Sequence, residues 1–315
     1  MMDKIKTVFV VGPTASGKTD LAIKLANEIG GEIVCADSMQ IYKGIEIASA
    51  CPTPQEKAAA KHHLCEFLDL GDSYSVSQYV QDAKSVIADI NARGKVPIVV
   101  GGTGLYIDSL SKGIEFNYKN DISVREKLQK RLEAEGIEEL YAELKVIDGA
   151  SAQKISQSDT KRILRALEIY YTTGKTKTEI DGQSTKSTNI IDPLFIGLNF
   201  NDREKLYERI NLRVDKMIQS GLVDEAKRVY QSTSKNGAAQ AIGYKELVPY
   251  ILGQDTLENC IENLKMQTRR YAKRQLTWFR RNQNINWIYL DEDQNPAATA
   301  ITICRNFLKG RTNEN

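Results

Sequence analysis

An α/β fold, a parallel sheet interrupted by a helical insertion, is predicted by three features of the sequence. Apolar β-rich runs alternate with helical patterns over the first hundred residues. A glycine-rich loop follows the first of those runs directly. A long polar helical stretch then separates the third run from the fourth. Strands that alternate with helices form βαβ units, and such units build parallel sheets covered by helices on both faces.

The elements follow in order. Thr7–Gly12 (TVFVVG) reads as the first strand, Lys18–Ile29 as a helix, and Glu32–Ser38 (EIVCADS) as the second strand. Val76–Arg93 has helical periodicity, and Val96–Gly102 (VPIVVGG) closes as the third strand into glycines. From Tyr118 the texture turns to polar helix, through Ser123–Gly136, Gly136–Asp148 and Asp159–Lys175. In the last of these Asp159 has the character of an N-cap and Gly174 that of a C-terminal stop. Thr176–Asn189 shows no periodicity and is expected to be a loop. Pro193–Phe200 (PLFIGLNF) reads as the fourth strand. After it come an amphipathic helical region over Glu208–Tyr230, a long helix over Leu257–Arg281, a short strand Trp287–Asp291 (WIYLD) and a terminal helix. The expected layout is a core of residues 1–117 and 194–315, with a helical insertion at 118–193.

Bulk properties narrow the class. The chain has 315 residues, 41% hydrophobic and 27% charged, with a net charge of +2. That is the balance of a soluble globular protein, so any polyanion binding must rest on a local basic surface. No run approaches the ~18 apolar residues that signal a membrane span. The short apolar stretch near the N-terminus meets the glycine loop at once, as a strand would and a signal peptide would not. Five scattered cysteines with no CxxC argue against both a disulfide framework and a zinc site. The only histidines, His62 and His63, are adjacent and suit a structural role better than a metal. A cytoplasmic, reducing compartment is expected.

Gly12, Pro13, Thr14, Ala15, Ser16, Gly17, Lys18 and Thr19 match GxxxxGK[ST] in the strand–loop–helix context that makes the pattern meaningful. Glycines let backbone N–H groups curl around phosphate oxygens, and the helix N-terminus behind them adds partial positive charge. Lys18 supplies a full charge and the Thr19 hydroxyl a ligand for Mg²⁺. The core is therefore expected to be P-loop NTPase-like. A nucleoside triphosphate and an isoprenoid diphosphate both end in linked phosphoryl groups, so the loop alone does not choose between them.

Two further loops sit at strand C-termini, where ligands of open parallel sheets bind. Asp37, in ADSMQIY, places a carboxylate able to reach Mg²⁺ or take a proton. Gly101–Tyr106 (GGTGLY) ends the third strand on Thr103 with no acid, whereas nucleotide hydrolases carry a metal-positioning Asp at a strand end.

Lys265–Arg281 (KMQTRRYAKRQLTWFRR) holds seven Lys or Arg and no Asp or Glu. Helical spacing gathers Arg270, Arg274 and Arg281 on one face, with Arg269, Lys273 and Arg280 beside them, and sets Leu264, Tyr271 and Trp278 as the core-facing stripe. Solvated faces usually mix signs; this one does not, which favours a polyanion such as RNA. Lys161, Arg162 and Arg165 on the insertion, and Arg209 and Arg213, could extend the basic surface.

In combination GPTASGKT, DSMQIYKG, HHL at His62–Leu64, GGTGLY, RALEIYYTTGK, AIGYKEL and RQLTWFRR, in that order over residues 8–290, resemble the bacterial tRNA dimethylallyltransferase family. The resemblance implies transfer of a dimethylallyl group from dimethylallyl diphosphate to the exocyclic amine of the adenosine 3′ of the anticodon, in tRNAs reading U-initial codons. Mg²⁺ is expected from the phosphate loop, and a monomer is the default expectation; the resemblance also implies an insertion that grips the anticodon stem-loop. It carries residue roles as well. Gly12–Thr19 would hold the diphosphate through Lys18 and Thr19, and Asp37 would be the general base. Thr103 would position the bridging oxygen. Arg209 would neutralise leaving diphosphate, with Arg213, one turn on, left open for that role. Asp37 and Thr19 would be the metal ligands. Contacts to tRNA would come from Asp37, Ser38, Met39, Gln40 and Thr103, from Arg125, and from Lys161, Arg162, Ile163, Leu164 and Arg165. Gln240, Ala241, Ile242, Gly243, Tyr244 and Lys245 would add a further segment, and Lys273, Arg274, Gln275, Thr277, Trp278 and Arg280 the last. Two departures stand out. The family's GTAKP is Ala48–Pro52 here, without its lysine. Lys245 stands where arginine is usual, keeping charge without a bidentate fork. The alternatives are prenylation of free adenine nucleotides, a P-loop small-molecule kinase, and a non-catalytic RNA-binding protein.

Overall fold

Strands β1 (Ile5–Val11), β2 (Gly31–Cys35), β3 (His62–His63), β4 (Val96–Gly101), β5 (Ile191–Asn199) and β6 (Ile285–Tyr289) form one sheet in the order β3-β2-β4-β1-β5-β6, every pair parallel. The computed structural model describes residues 4–114, 121–184, 189–232 and 237–310. Covered on both faces, the central strands are nearly continuous in apolar residues: Val8, Phe9, Val10 and Val11 are fully buried. Val10 stands opposite Val100 on one side and Ile196 on the other. Helix Lys18–Ile29 lays Leu21, Ala22, Leu25 and Ala26 against Val8, Val10, Ile33 and Ile98, joined by Ala300 and Cys304 of helix Pro296–Lys309. A second helix, Val76–Ala92, buries Tyr79, Val80, Ala83, Ile87 and Ile90. Because every strand runs the same way, the loops leaving β1, β2 and β4 emerge at one edge of the sheet. No helix among the described residues is long and apolar enough to cross a membrane.

Five of the six strands are legible as apolar runs; β3 is not. It is two residues long, and His63 Nε2 lies 2.7 Å from a carboxylate oxygen of Glu32. Glu32 is almost wholly buried and also takes the fork of Arg93 at 2.5 and 2.7 Å, with Lys95 at 3.0 Å and Lys61 at 3.6 Å. Arg93 above all, with His63, Lys95 and Lys61, holds the Glu32 carboxyl well below its ordinary value of 4.5. Replacing Glu32 by alanine is expected to lower stability by about 2 kcal/mol, less than for a fully buried pair because the freed cations reach water. The folded value is depressed, so this stabilisation is complete above about pH 4.5 and is lost as pH falls through the folded value. Urea unfolding of both proteins from pH 7 down to pH 3 checks it: the gap should narrow toward acid.

The chain divides into two compact units, Lys112–Thr188 and the remainder. The boundary expected at 117/118 falls outside the described residues, and the strand expected from Pro193 already begins at Ile191. Within the insertion, helices Ile122–Glu135, Ile137–Ile147, Gly149–Lys154 and Thr160–Thr173 enclose Leu128, Leu140, Leu144, Ile163 and Leu167. Asp159 accepts from Arg162 N at 3.2 Å and Gly174 closes the last helix in the left-handed region at φ 70°. The loop expected from Thr176 is a correction: Lys177–Ser184 is helical. Its start carries a capping box that periodicity overlooks, with Thr176 N donating to Glu179 at 2.7 Å and Glu179 N to Thr176 Oγ1 at 3.1 Å. Asp148 then fastens it through Thr178 N and Oγ1 at 3.0 and 2.6 Å.

In the sheet unit, the single helical region expected over Glu208–Tyr230 is two helices, Arg203–Gln219 and Leu222–Gln231. The long helix spans Leu257–Phe279 and buries Cys260, Leu264, Thr268, Ala272, Gln275 and Phe279. The core stripe therefore runs through Ala272 and Phe279. Tyr271 and Trp278, expected on it, are half-buried at its flank.

Candidate functional site

The glycine loop leaves β1 at Gly12, which has φ 145° and whose Cβ would stand 2.5 Å from Leu198 O on the neighbouring strand. A side chain there would push β1 and β5 apart. Inside the turn Ser16 Oγ and Lys18 Nζ both donate to Pro13 O, at 2.8 and 2.7 Å, and Gly17 caps the helix in the left-handed region. Ala15 is held at φ 64°, a conformation few L residues adopt, and its carbonyl accepts from Arg209 Nε at 3.0 Å. The Arg209 guanidinium also lies over the Phe200 ring, 5.6 Å from its centroid.

The loops after β2 and β4 are joined backbone to backbone. A Cβ on Gly101 would fall 2.1 Å from Ala36 O, so only glycine lets the two chains approach this closely. Ala36 N then donates to Val100 O at 2.7 Å and Thr103 N to Ala36 O at 3.2 Å. The Thr103 hydroxyl accepts from Ser38 N at 3.0 Å and donates to Ser38 Oγ at 3.3 Å. Asp37 is thereby set beside Thr103. Its Oδ1 accepts from Met39 N at 2.9 Å, and no described residue bonds its Oδ2.

Electrostatics ties these loops to the glycine loop. Burial first, then the nearby Arg213 charge, lowers the Lys18 ammonium to about 7, against an opposing pull from Asp37. Arg213 is lowered by burial, again opposed by Asp37. Two cations and one carboxylate thus share a poorly solvated space. Arg213 is electrostatically coupled to Lys18 and Asp37, and Arg209 stands at the same loop through its bond to Ala15 O. Sequence spacing could not separate these roles, because the two residues lie one turn apart on one face of one helix.

A magnesium ion would suit this donor set. Thr19 supplies a hydroxyl and Asp37 a carboxylate oxygen, both hard ligands. Among the described residues no three His, Cys, Asp or Glu side chains cluster as a protein-only metal centre would.

The expected tRNA contacts divide by exposure. Lys273, Arg274, Thr277 and Arg280 are exposed along the long helix, and Arg270 beside them as well. Arg274 and Arg281 lie over the rings of Tyr271 and Trp278. Lys265 and Arg269 are already engaged, by Asp215 at 2.9 Å and by Asn211 at 2.7 Å. Gln275 is a correction: only 5% exposed, it spends both ends of its amide inside the protein. In the segment 240–245 the Gln240 side chain lies outside the described residues. Ala241, Gly243 and Tyr244 are buried, Ile242 is half-buried, and Lys245 is exposed. Tyr244 OH donates to Glu225 at 2.8 Å, and Glu225 in turn receives Ile47 N and Ala48 N at 3.0 and 2.8 Å. That buried carboxylate anchors the segment entering Ala48–Pro52. Gln40, whose amide donates to Ser49 O and Ala50 O at 3.2 and 2.9 Å, holds its middle. On the insertion, Arg125, Lys161 and Arg162 are exposed, Leu164 and Arg165 are half-buried, and Ile163 is fully buried in that unit's own core.

The family model "IPP transferase" matches residues 40–282. A tRNA dimethylallyltransferase of Bacillus subtilis (strain 168) is 46% identical over 286 residues, covering 90% of each chain. One from Caldanaerobacter subterraneus subsp. tengcongensis is 44% identical over 292 residues, covering 91% of this chain and 93% of its own. Among solved structures, the full-length tRNA isopentenylpyrophosphate transferase of Bacillus halodurans superposes with TM-score 0.69 at 38% identity, over 98% of this chain and 96% of that one. A eukaryotic dimethylallyltransferase captured acting on tRNA superposes with TM-score 0.82 at 33% identity, over 98% of this chain and 80% of that one. Similarity at this level across nine-tenths of the chain places this protein in the IPP transferase family of tRNA dimethylallyltransferases.

Proposed function

We propose that this tRNA prenyltransferase moves a dimethylallyl group from dimethylallyl diphosphate to the exocyclic amine of the adenosine 3′ of the anticodon, in tRNAs reading U-initial codons, as a cytoplasmic monomer. The observation that carries the reading is the joining of the loops after β2 and β4, with Asp37 coupled to the lysine of the phosphate-type loop. In the reaction the allylic C–O bond breaks, an N–C bond forms, and negative charge grows on the departing diphosphate. Gly12–Thr19, Lys18 and Arg209, with Arg213 one turn on, stabilise that charge as it develops. Asp37 accepts the amine proton, and Thr103, oriented by Ser38, holds the bridging oxygen in line. Magnesium, when bound by Thr19 and Asp37, supplies further charge to the diphosphate. The target base is stacked in its loop and has to swing out to meet the donor. Exposed Lys273, Arg274 and Arg280 supply phosphate contacts for the RNA, and Lys161, Arg162 and Arg125 of the insertion supply others.

Incubation with labelled dimethylallyl diphosphate, Mg²⁺ and unmodified tRNA tests this directly. Label in the RNA, at the adenosine following the anticodon, is the expected result. Label passing to AMP and not to RNA would instead identify a free-nucleotide prenyltransferase, and phosphate transfer from ATP a kinase. Removing three phosphate contacts with Lys273→Ala, Arg274→Ala and Arg280→Ala is expected to weaken tRNA binding by about 10²-fold or more and to flatten its salt dependence. Filter binding at 50 and 200 mM salt measures both.

A further inference from the structure

The long helix Leu257–Phe279 has one residue on its buried stripe that packing does not account for. Cys260, Leu264, Ala272 and Phe279 are apolar, and Thr268 returns its hydroxyl to Leu264 O at 2.8 Å. Gln275 is the exception, a primary amide 5% exposed at a position where leucine would fill the same space. A buried amide is tolerated only when it is hydrogen-bonded. Its bonds go to two different loops: Oε1 accepts from Thr14 N at 2.8 Å, and Nε2 donates to Gly102 O at 3.0 Å. The partners fix the orientation of the amide, since Thr14 N can only donate and Gly102 O can only accept.

Those two loops leave adjacent strands at the same level, for Val11 of β1 stands opposite Gly101 of β4. We infer that Gln275 is a positioning residue, a side-chain clamp that sets the diphosphate loop against the Gly102–Thr103 turn and so fixes where the donor lies relative to Asp37 and Thr103. The inference rests on reading Gly12–Thr19 as the diphosphate cradle. Gly102 belongs to the same device. A Cβ there would stand 2.1 Å from Gln275 Nε2, with Asp37 Oδ2 3.9 Å away, so the glycine leaves the room that the amide occupies next to the carboxylate. One end of the clamp takes a backbone N–H of the cradle itself, ordering the Pro13–Thr14 peptide before substrate arrives. Such preorganisation lowers what binding must spend on ordering.

Steady-state kinetics on the full chain, varying dimethylallyl diphosphate and tRNA separately, tests the clamp. Gln275→Met keeps volume and removes both bonds. It is expected to lower kcat/KM for dimethylallyl diphosphate about 10- to 100-fold, the worth of one or two buried hydrogen bonds, with KM for tRNA unchanged. A purely structural role would not produce that split. The second arm is a cycle: Gly102→Ala alone is expected to be as harmful as losing the clamp, but harmless when added to Gln275→Ala, whose shortened side chain vacates the clash. The inference is overturned if Gln275→Met weakens tRNA and spares dimethylallyl diphosphate, or if Gly102→Ala is equally damaging in both backgrounds. Binding of dimethylallyl diphosphate to wild type separates the two readings. Wild type that binds normally beside unaffected variants overturns the clamp alone; wild type that does not bind overturns the cradle, and the clamp with it.

Discussion

Replacing Asp37 by asparagine is expected to lower kcat by on the order of 10²–10⁴-fold, the usual contribution of a positioned general base. Measured without Mg²⁺, the affinity for dimethylallyl diphosphate should be unchanged or tighter. The substitution is conservative in geometry. Asparagine Oδ1 can still accept from Met39 N, the bond that shapes the turn after β2. The second oxygen is lost, and with it the ability to take a proton from the adenine amine and a charged ligand for Mg²⁺. Removing a negative charge beside Lys18 and Arg213 does not weaken their hold on diphosphate, which is why metal-free binding survives. Single-turnover transfer of label into tRNA, read together with a melting curve, makes the measurement. A variant that turns over at the wild-type rate would place the base elsewhere.

The second large effect concerns Lys18. Lys18→Met is expected to weaken diphosphate binding and lower turnover by roughly 10²–10³-fold, as loss of a preorganised charge at a developing anion does. It also carries a signature in pH. Burial and the Arg213 charge lower Lys18 to about 7 in the free protein. A bound diphosphate is a strong counter-charge that raises it again, so above pH 7 binding must take up a proton. Affinity is therefore expected to fall as pH rises from 7 to 9 in wild type and to stay flat in Lys18→Met. Calorimetry in buffers of different ionisation enthalpy reads the proton directly. The sign for stability follows from the same shift. The folded value lies below the ordinary 10.5, so charging Lys18 opposes folding below about pH 7, and that penalty is relieved as pH climbs toward 10.5. Wild type should gain stability over that window relative to Lys18→Met.

Much of this site is legible locally. The glycine pattern, the apolar run before it and the helix after it lie within some twenty residues, and their meaning depends on backbone geometry that neighbours in sequence dictate. The caps at Asp159 and Gly174 are local in the same way. What periodicity misjudged was either short or supported from a distance. β3 is two residues ordered by pairing with Ile33 and Val34 and by the Glu32 cluster. The helix Lys177–Ser184 is weakly periodic, and Asp148, thirty residues earlier, fastens it. Gln275 falls within a segment that the family resemblance assigned to tRNA, while its helical phase puts it in the core.

From sequence alone came the fold class, the phosphate-type loop, the acid at Asp37, the hydroxyl at Thr103 and the acid-free basic helix. Those rest on residue types, spacing and periods of two or 3.6, all short-range properties of a chain. Tertiary structure decided which arginine shares charge with Lys18 and Asp37, why Gly101 must approach Ala36, and that Gln275 joins residues 261 and 173 positions away. Parallel strands bring distant segments together through crossovers, so the pairing of their end loops is set by sheet order and packing, which no local pattern encodes.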